Sequence, residues 1–222
     1  LVSPWKDIAQ YLVLCFPSPP DVCPERPGKH WIILAIAGSS LILKIFEKTI
    51  LVGSLLSGDS LQFGYKAASS TTQAPWLVHE VLGHYLREGA NPIFALLDCS
   101  KAFDLAKWDK MFSLILDRQV PPIVARAMIY SYQEQYAWCR WGSARSEIFT
   151  IKNGTRQDSM ASPFLWAVYC DPLLARLRAV GVGCHMAGMW MGGQLYCDDL
   201  ALLAPCRRAM IIMLKEAELW AA

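Results

Sequence analysis

The order of apolar and polar positions divides the chain into segments before composition is considered. Residues 1–30 carry Pro17, Pro19, Pro20, Pro24 and Pro27, which forbid a long helix and predict an irregular stretch. From Trp31 to Leu56 the chain is apolar, with charge only at Lys44, Glu47 and Lys48, a pattern that predicts a helix partly buried on a wide stripe. A loop over 59–74 ends in Ser69-Ser70-Thr71-Thr72, N-cap chemistry for a helix from Gln73 to Glu88. Ile93 to Leu97 is an unbroken apolar run of strand length, expected to be buried on both faces, and it ends at Asp98. Helices are expected near Trp108 to Leu116 and from Pro121 to about Gln133, the second opened by proline. Tyr136 to Trp141 and Glu147 to Lys152 alternate around a Gly-Ser turn and read as a hairpin. Ser162-Pro163 opens a helix through Leu177. Leu195-Tyr196 and Leu200 to Ala204 read as strands about the acidic turn Asp198-Asp199, and a last helix runs from Arg207 to Leu219. This order predicts an α+β fold.

Composition narrows the class. With 222 residues, 54% hydrophobic and 18% charged, the chain is neither a disordered tail nor a polar linker. Its 21 Lys+Arg against 19 Asp+Glu leave +2, too balanced to name nucleic acid from charge alone. The mean hydropathy of +0.26 makes a membrane span worth testing. The uncharged run His30 to Leu43 is short of the roughly 20 residues a span needs, and Ala179 to Cys197 is broken by glycines and His185. No membrane segment is expected. The 8 cysteines lie scattered without a C-x-x-C pair and read as reduced thiols, so a nuclear or cytoplasmic location is expected, not a secreted one. The N-terminus lacks an initiator Met and a basic leader, as expected of a piece of something longer.

Three segments carry candidate chemistry. Asp98 ends a buried strand, where it could equally cap the next turn. Asp198 and Asp199 are adjacent carboxylates in an apolar hairpin; they repel each other, and either solvation in a turn or a divalent cation resolves the repulsion. The third is Asn153-Gly154-Thr155-Arg156-Gln157-Asp158-Ser159-Met160-Ala161-Ser162-Pro163, a polar run leading into a helix.

In this order the segments resemble the reverse transcriptases of non-LTR retrotransposons (LINE elements). Leu97-Asp98-Cys99-Ser100-Lys101-Ala102-Phe103-Asp104 resembles that family's L-D-x-S-K-A-F-D motif. Gly154 to Pro163 resembles its G-x-R-Q-G-x-x-x-S-P motif, and Tyr196 to Leu200 its Y-A-D-D-L motif. Lys44-Ile45-Phe46-Glu47-Lys48 and Gln62-Phe63-Gly64-Tyr65-Lys66 resemble its K-I-F-E-K and Q-F-G-F-R segments, and Asp171 to Leu174 and Gly181 to Cys184 fall where it carries similar strings. The resemblance implies a right-hand polymerase, with fingers over about 31–90 and palm over about 91–222, an antiparallel palm sheet packed on helices and no thumb. It implies RNA-directed DNA polymerase activity, with Asp98, Asp198 and Asp199 as catalytic metal ligands for two Mg²⁺ ions (Mn²⁺ as the substitute). It further implies that Phe103, Arg156, Gln157 and Tyr196 contact substrate. RNA template, DNA primer and deoxynucleoside triphosphates are the implied partners, with Lys101 a phosphate contact and no obligate protein partner.

The chain departs from the pattern at three places. Asp158 stands where the family has Gly after Arg-Gln, adding a side chain and a negative charge where a triphosphate approaches. Cys197 stands for Ala in the acidic hairpin, a small apolar exchange expected to be tolerated. Leu34 to Ala37 occupies the register of the family's R-P-I-S, with Arg26-Pro27 upstream. These departures set a second expectation beside the polymerase: a catalytically inactive remnant that at most binds nucleic acid or a protein partner. Other patterns are set aside. His79-Glu80-Val81-Leu82-Gly83-His84 has one residue too many for a zinc-protease motif, which needs histidines four apart on one helix face. Gly181-Val182-Gly183 lacks the third glycine of a dinucleotide loop. Trp138, Trp141 and Trp190 are expected to pack rather than stack on bases.

Overall fold

The computed structural model describes residues 10–15, 35–38, 44–45, 47–48, 58–66, 69–99, 102–133, 135–141, 144–156 and 159–221. Gln157, Asp158 and Lys101 lie outside them, as do Arg26-Pro27 and Phe46. The chain forms two compact units, each of two stretches: Leu1–Ser54 with Phe103–Ser162, and Leu55–Ala102 with Pro163–Ala222. The fold is α+β, with its main sheets built on antiparallel pairs.

In the first unit, β1 (Gln10–Cys15) pairs antiparallel with β2 (Ala35–Gly38) and parallel with β4 (Tyr136–Trp141). The short strands β5 (Ala144–Arg145) and β6 (Phe149–Thr150) return along β4. Two expectations change here. Residues 1–30 contain a strand, and Ala35–Gly38 is strand where a helix was expected; of that expected helix, Lys44, Ile45, Glu47 and Lys48 are helical. Strand β1 lies beside β4, more than a hundred residues away in sequence, and pairing at that separation leaves no local signal. Between the sheet segments run α2 (Ala102–Leu105, a short turn), α3 (Trp108–Asp117) and α4 (Pro122–Gln133); α1 belongs to the second unit. Met111 and Ile115 of α3 and Ala125, Met128 and Tyr132 of α4 are buried at helical spacing. The rings of Trp108 and Phe112 meet Tyr132 edge-on, both at 5.8 Å.

The second unit opens with α1 (Gln73–Arg87). Its Thr72 N-cap makes no side-chain capping bond, its hydroxyl pairing with that of Ser70 at 2.7 Å; the Gln73 side chain reaches back to accept the Ser70 N–H at 3.1 Å. Strand β3 (Ile93–Asp98) is the edge of a three-stranded sheet, with β10 (Asp199–Ala204) in the centre and β9 (Gly193–Tyr196) beyond. Leu97, Leu200 and Leu195 form one inward row and Ala95, Leu202 and Gly193 the next. The other face of β3 is open, with Phe94 46% and Leu96 64% exposed, so this strand is buried on one face and not on two. Helix α5 (Ser162–Ala179) is buried around most of its girth by Leu165, Trp166, Val168, Tyr169, Leu173, Leu174 and Leu177, despite an internal Pro172. A small hairpin, β7 (His185–Met186) with β8 (Met189–Trp190), turns through Ala187 and Gly188, both at positive φ, as a two-residue turn demands. Helix α6 (Arg207–Ala221) completes the unit, burying Ala209, Met210 and Met213. Among the described residues no helix is long and apolar enough to cross a membrane.

Candidate functional site

Antiparallel pairing decides where the acidic residues stand. Asp98 is the last residue of β3, and its register partner is Asp199, the first residue of β10. Directly opposed residues of an antiparallel pair project to the same face, so the two carboxylates share the open face at one end of the sheet. Tyr196 of β9 pairs with Asp199 and extends the same row. Asp198 sits in the two-residue turn that joins β9 to β10. The thiol of Cys99 registers the convergence: burial raises its pKa first, and the charges of Asp198 and Asp98 raise it further. Among the described residues none of the three aspartates is held by a salt bridge or side-chain hydrogen bond.

The turn carrying Asp198 is braced from behind. Cys197 has φ +59°, a left-handed conformation that non-glycine residues rarely adopt, at the first position of the turn. Segment 61–63 lies alongside β9, with the Leu195 N–H donating to Leu61 O and the Phe63 N–H to Leu195 O. It brings Gly64 so near that a Cβ there would stand 2.4 Å from the Cys197 nitrogen and 2.8 Å from its Sγ. Tyr65 follows, hydrogen-bonded through its hydroxyl to the Cys197 thiol; burial first, then Cys197, Asp198 and Tyr196, push its phenol up to about 12. The Cys197 side chain is therefore a contact of the bracing segment as well as a replacement for alanine. The segment is tied down in turn: Arg178 of α5 donates to both Asp59 oxygens at 3.0 Å, and Lys66 Nζ donates to Gly58 O and Asp59 O.

The first unit holds the other predicted residues. Phe103 is half-buried, and its carbonyl accepts the Thr155 N–H at 2.6 Å. Gly154, at φ +87°, has no room for a Cβ, which would lie 2.8 Å from Phe103 O and 3.0 Å from Asp104 O. The Gly154 carbonyl accepts from the Trp108 indole at 2.8 Å. Phe103 and Asp104 are thereby locked to Gly154 and Thr155 within the first unit. Arg156 is enclosed rather than presented: its side chain and that of Glu47 are each 1% exposed, with Nη1 3.3 Å from Glu47 Oε1. Its guanidinium lies 4.3 Å from the Tyr132 ring centroid and donates to Ser131 O. Glu47 Oε2 accepts from Ser159 Oγ at 2.8 Å and from the Met160 N–H at 3.0 Å. Burial raises the Glu47 carboxyl, against hydrogen bonds from Ser159, Met160 and Ala161 that lower it, and burial lowers the Arg156 guanidinium to about 9. Glu47 is a residue that sequence reasoning passed over, although a lone carboxylate in an apolar run requires a buried partner.

Sheet end and turn thus gather Asp98, Asp198, Asp199 and Tyr196 in the second unit, while Phe103 and Arg156 belong to the first. Carboxylate oxygens, without a basic partner among the described residues, are the hard donors that Mg²⁺ takes, one or two together with substrate phosphates. Among the described residues no three His, Cys, Asp or Glu side chains, the three aspartates included, stand close enough together to hold a metal ion. His79 approaches its neighbour Glu80 at 3.7 Å and His84 packs on Tyr85, with no common ligand between them.

The sheet with carboxylates at one end and a tight acidic hairpin defines a polymerase-type α+β fold. Residues 36–222 match the profile of the reverse transcriptase (RNA-dependent DNA polymerase) family, and the chain belongs to that family. Among solved structures, apo telomerase from Candida tropicalis, truncated from its C-terminal domain, is similar with a TM-score of 0.60 and 10% identity, over 99% of this chain and 47% of that one. Telomerase from Candida albicans, in complex with a TWJ fragment of telomeric RNA, is similar with a TM-score of 0.57 and 10% identity, over 100% of this chain and 41% of that one. The chain therefore spans less than half the length of these telomerases, and at that identity the likeness is one of fold. No curated protein matches the sequence.

Proposed function

We propose that the chain supplies the nucleotidyl-transfer centre of an RNA-directed DNA polymerase of the non-LTR (LINE) kind, extending a DNA primer on an RNA template with deoxynucleoside triphosphates. The observation that carries the reading is the Asp98–Asp199 register pair with Asp198 in the adjoining turn. In this reading the second unit is the palm. Asp98, Asp198 and Asp199 would hold Mg²⁺, which when bound lowers the pKa of the primer 3′-hydroxyl and stabilises the pyrophosphate leaving group. The chain's own contribution is placement. The three-stranded sheet holds Asp98 opposite Asp199, and Gly64 and Tyr65 hold the turn that presents Asp198. By the motif resemblance, Phe103, Tyr196 and Gln157 are the candidate contacts to nucleotide and template. Arg156 acts as a structural partner of Glu47 and Ser131, because Glu47 already takes its charge.

Template-primed, Mg²⁺-dependent incorporation of deoxynucleotides tests the proposal, with Asp198→Asn expected to lower the rate at least about 1,000-fold. Incorporation unaffected by that substitution would refute it. One observation favours the second reading, an inactive chain that binds nucleic acid or a protein: the enclosure of Arg156 removes a cation that the motif resemblance gave to substrate. That reading expects no incorporation from the chain as it stands, even after Asp158→Gly.

A further inference from the structure

The sheet of the first unit has two unlike faces. Ala137 is fully buried, which sets the inward face of β4, and alternation turns Tyr136 and Trp138 outward. Thr150, the register partner of Tyr136, and Arg145, the partner of Arg140, fall on that outward face. Tyr136 is 41% exposed, and Thr150 and Arg145 are exposed. The Arg145 guanidinium carbon lies 3.6 Å from the Trp138 ring centroid, a stacked cation–π pair. Among the described residues no hydrogen bond or ion pair holds Arg145, which is exposed. Over 136–152 the chain carries Arg140, Arg145 and Lys152 against Glu147 alone.

We propose that this face, centred on Trp138 and Arg145 with Tyr136 beside them, binds an unpaired RNA strand, its bases stacking on the guanidinium–indole pair and on the phenol. Exposed aromatic rings on a sheet, joined by a guanidinium plane, are the chemistry by which unstacked bases are held. The positive balance complements a phosphate backbone. Ile148 and Phe149 also stand 67% and 45% exposed on the adjoining segment, but the positive balance and the guanidinium–indole pair suit a polyanion better than an apolar protein surface. The inference rests on the nucleic-acid side of the functional reading and not on the aspartates. It also revises the expectation that Trp138 only packs.

The test measures the affinity of the full chain for a labelled single-stranded RNA by fluorescence anisotropy, beside a duplex RNA of the same length and a single-stranded DNA of the same sequence. Arg145→Ala, an exposed substitution that leaves the fold intact, is expected to weaken single-stranded RNA binding about tenfold, and Trp138→Ala at least as much. Trp138→Phe should retain most of the affinity, Arg145→Lys should recover only part of it, and duplex binding should hardly change. Unchanged single-strand affinity in Arg145→Ala overturns the proposal. So does an equal loss for duplex RNA, tighter binding to the DNA strand, or an effect of Arg145→Ala on self-association instead of on RNA. Asp198→Asn separates the two readings. It should abolish incorporation and leave single-strand affinity intact, so loss of the platform effect and loss of polymerase activity are scored independently.

Discussion

Gly64 and Gly154 are positions where a single methyl group decides local geometry. A Cβ at Gly64 would collide with the backbone of Cys197, and backbone cannot yield as a flexible side chain can. Gly64→Ala is expected to push the Asp198 turn off its position and, under the proposed polymerase function, to lower deoxynucleotide incorporation about 100-fold, with little change in circular dichroism. Gly154→Ala combines a positive φ with a contact 2.8 Å from Phe103 O and should destabilise the first unit by about 2 kcal/mol or more in urea unfolding. Glu47 and Arg156 form a buried pair whose worth shows only when it is broken. Glu47→Gln leaves a buried guanidinium without its counter-charge and should cost about 3 kcal/mol, whereas replacing both, Glu47→Leu with Arg156→Met, should recover most of that loss. A double mutant no more stable than the single would show that the carboxylate acts mainly through Ser159 and Met160.

At the scale of elements, the segment ahead of α1 is fastened to α5 by the Asp59–Arg178 pair. Burial raises the Asp59 carboxyl, but the Arg178 hydrogen bonds and charge, with the Leu61 N–H, outweigh it and bring the pKa below its ordinary value of 3.8. A carboxylate lowered on folding contributes stability that is present above the unfolded pKa and is lost as pH falls through the folded one. Asp59→Asn should therefore cost about 1 kcal/mol near neutral pH and nothing well below pH 3.8, read as converging urea midpoints on acidification. Helices α3, α4, α5 and α6 were legible because their apolar spacing is local, and β3 and β10 because their motifs bracket them. Strands β1 and β2 were not. Their hydrogen bonds come from each other and from distant β4, and Pro-rich or apolar surroundings read locally as loop or helix. The open face of β3 was equally hidden, since an unbroken apolar run does not tell an edge strand from a central one.

For the whole molecule, a net charge of +2 and an isoelectric point near 8.1 leave little repulsion between copies in mildly alkaline buffer. Large apolar side chains such as Ile123, Ile148 and Leu219 stand exposed on both units. Turbidity at moderate concentration should accordingly peak close to pH 8 and fall toward pH 6, and a flat profile would show that charge does not limit solubility. By itself the sequence determined the reverse transcriptase family and the α+β class and marked the acidic residues as candidates, because carboxylates and turn residues occur in short, ordered strings that are legible without knowledge of neighbours. Tertiary structure alone decided three further matters. Pairing register put Asp98 opposite Asp199, close packing required Gly64 behind the turn, and burial set Arg156 against Glu47. Each depends on which distant segment lies alongside, and a hydrogen bond, a steric limit or a desolvated charge between segments a hundred residues apart has no signature in either segment alone.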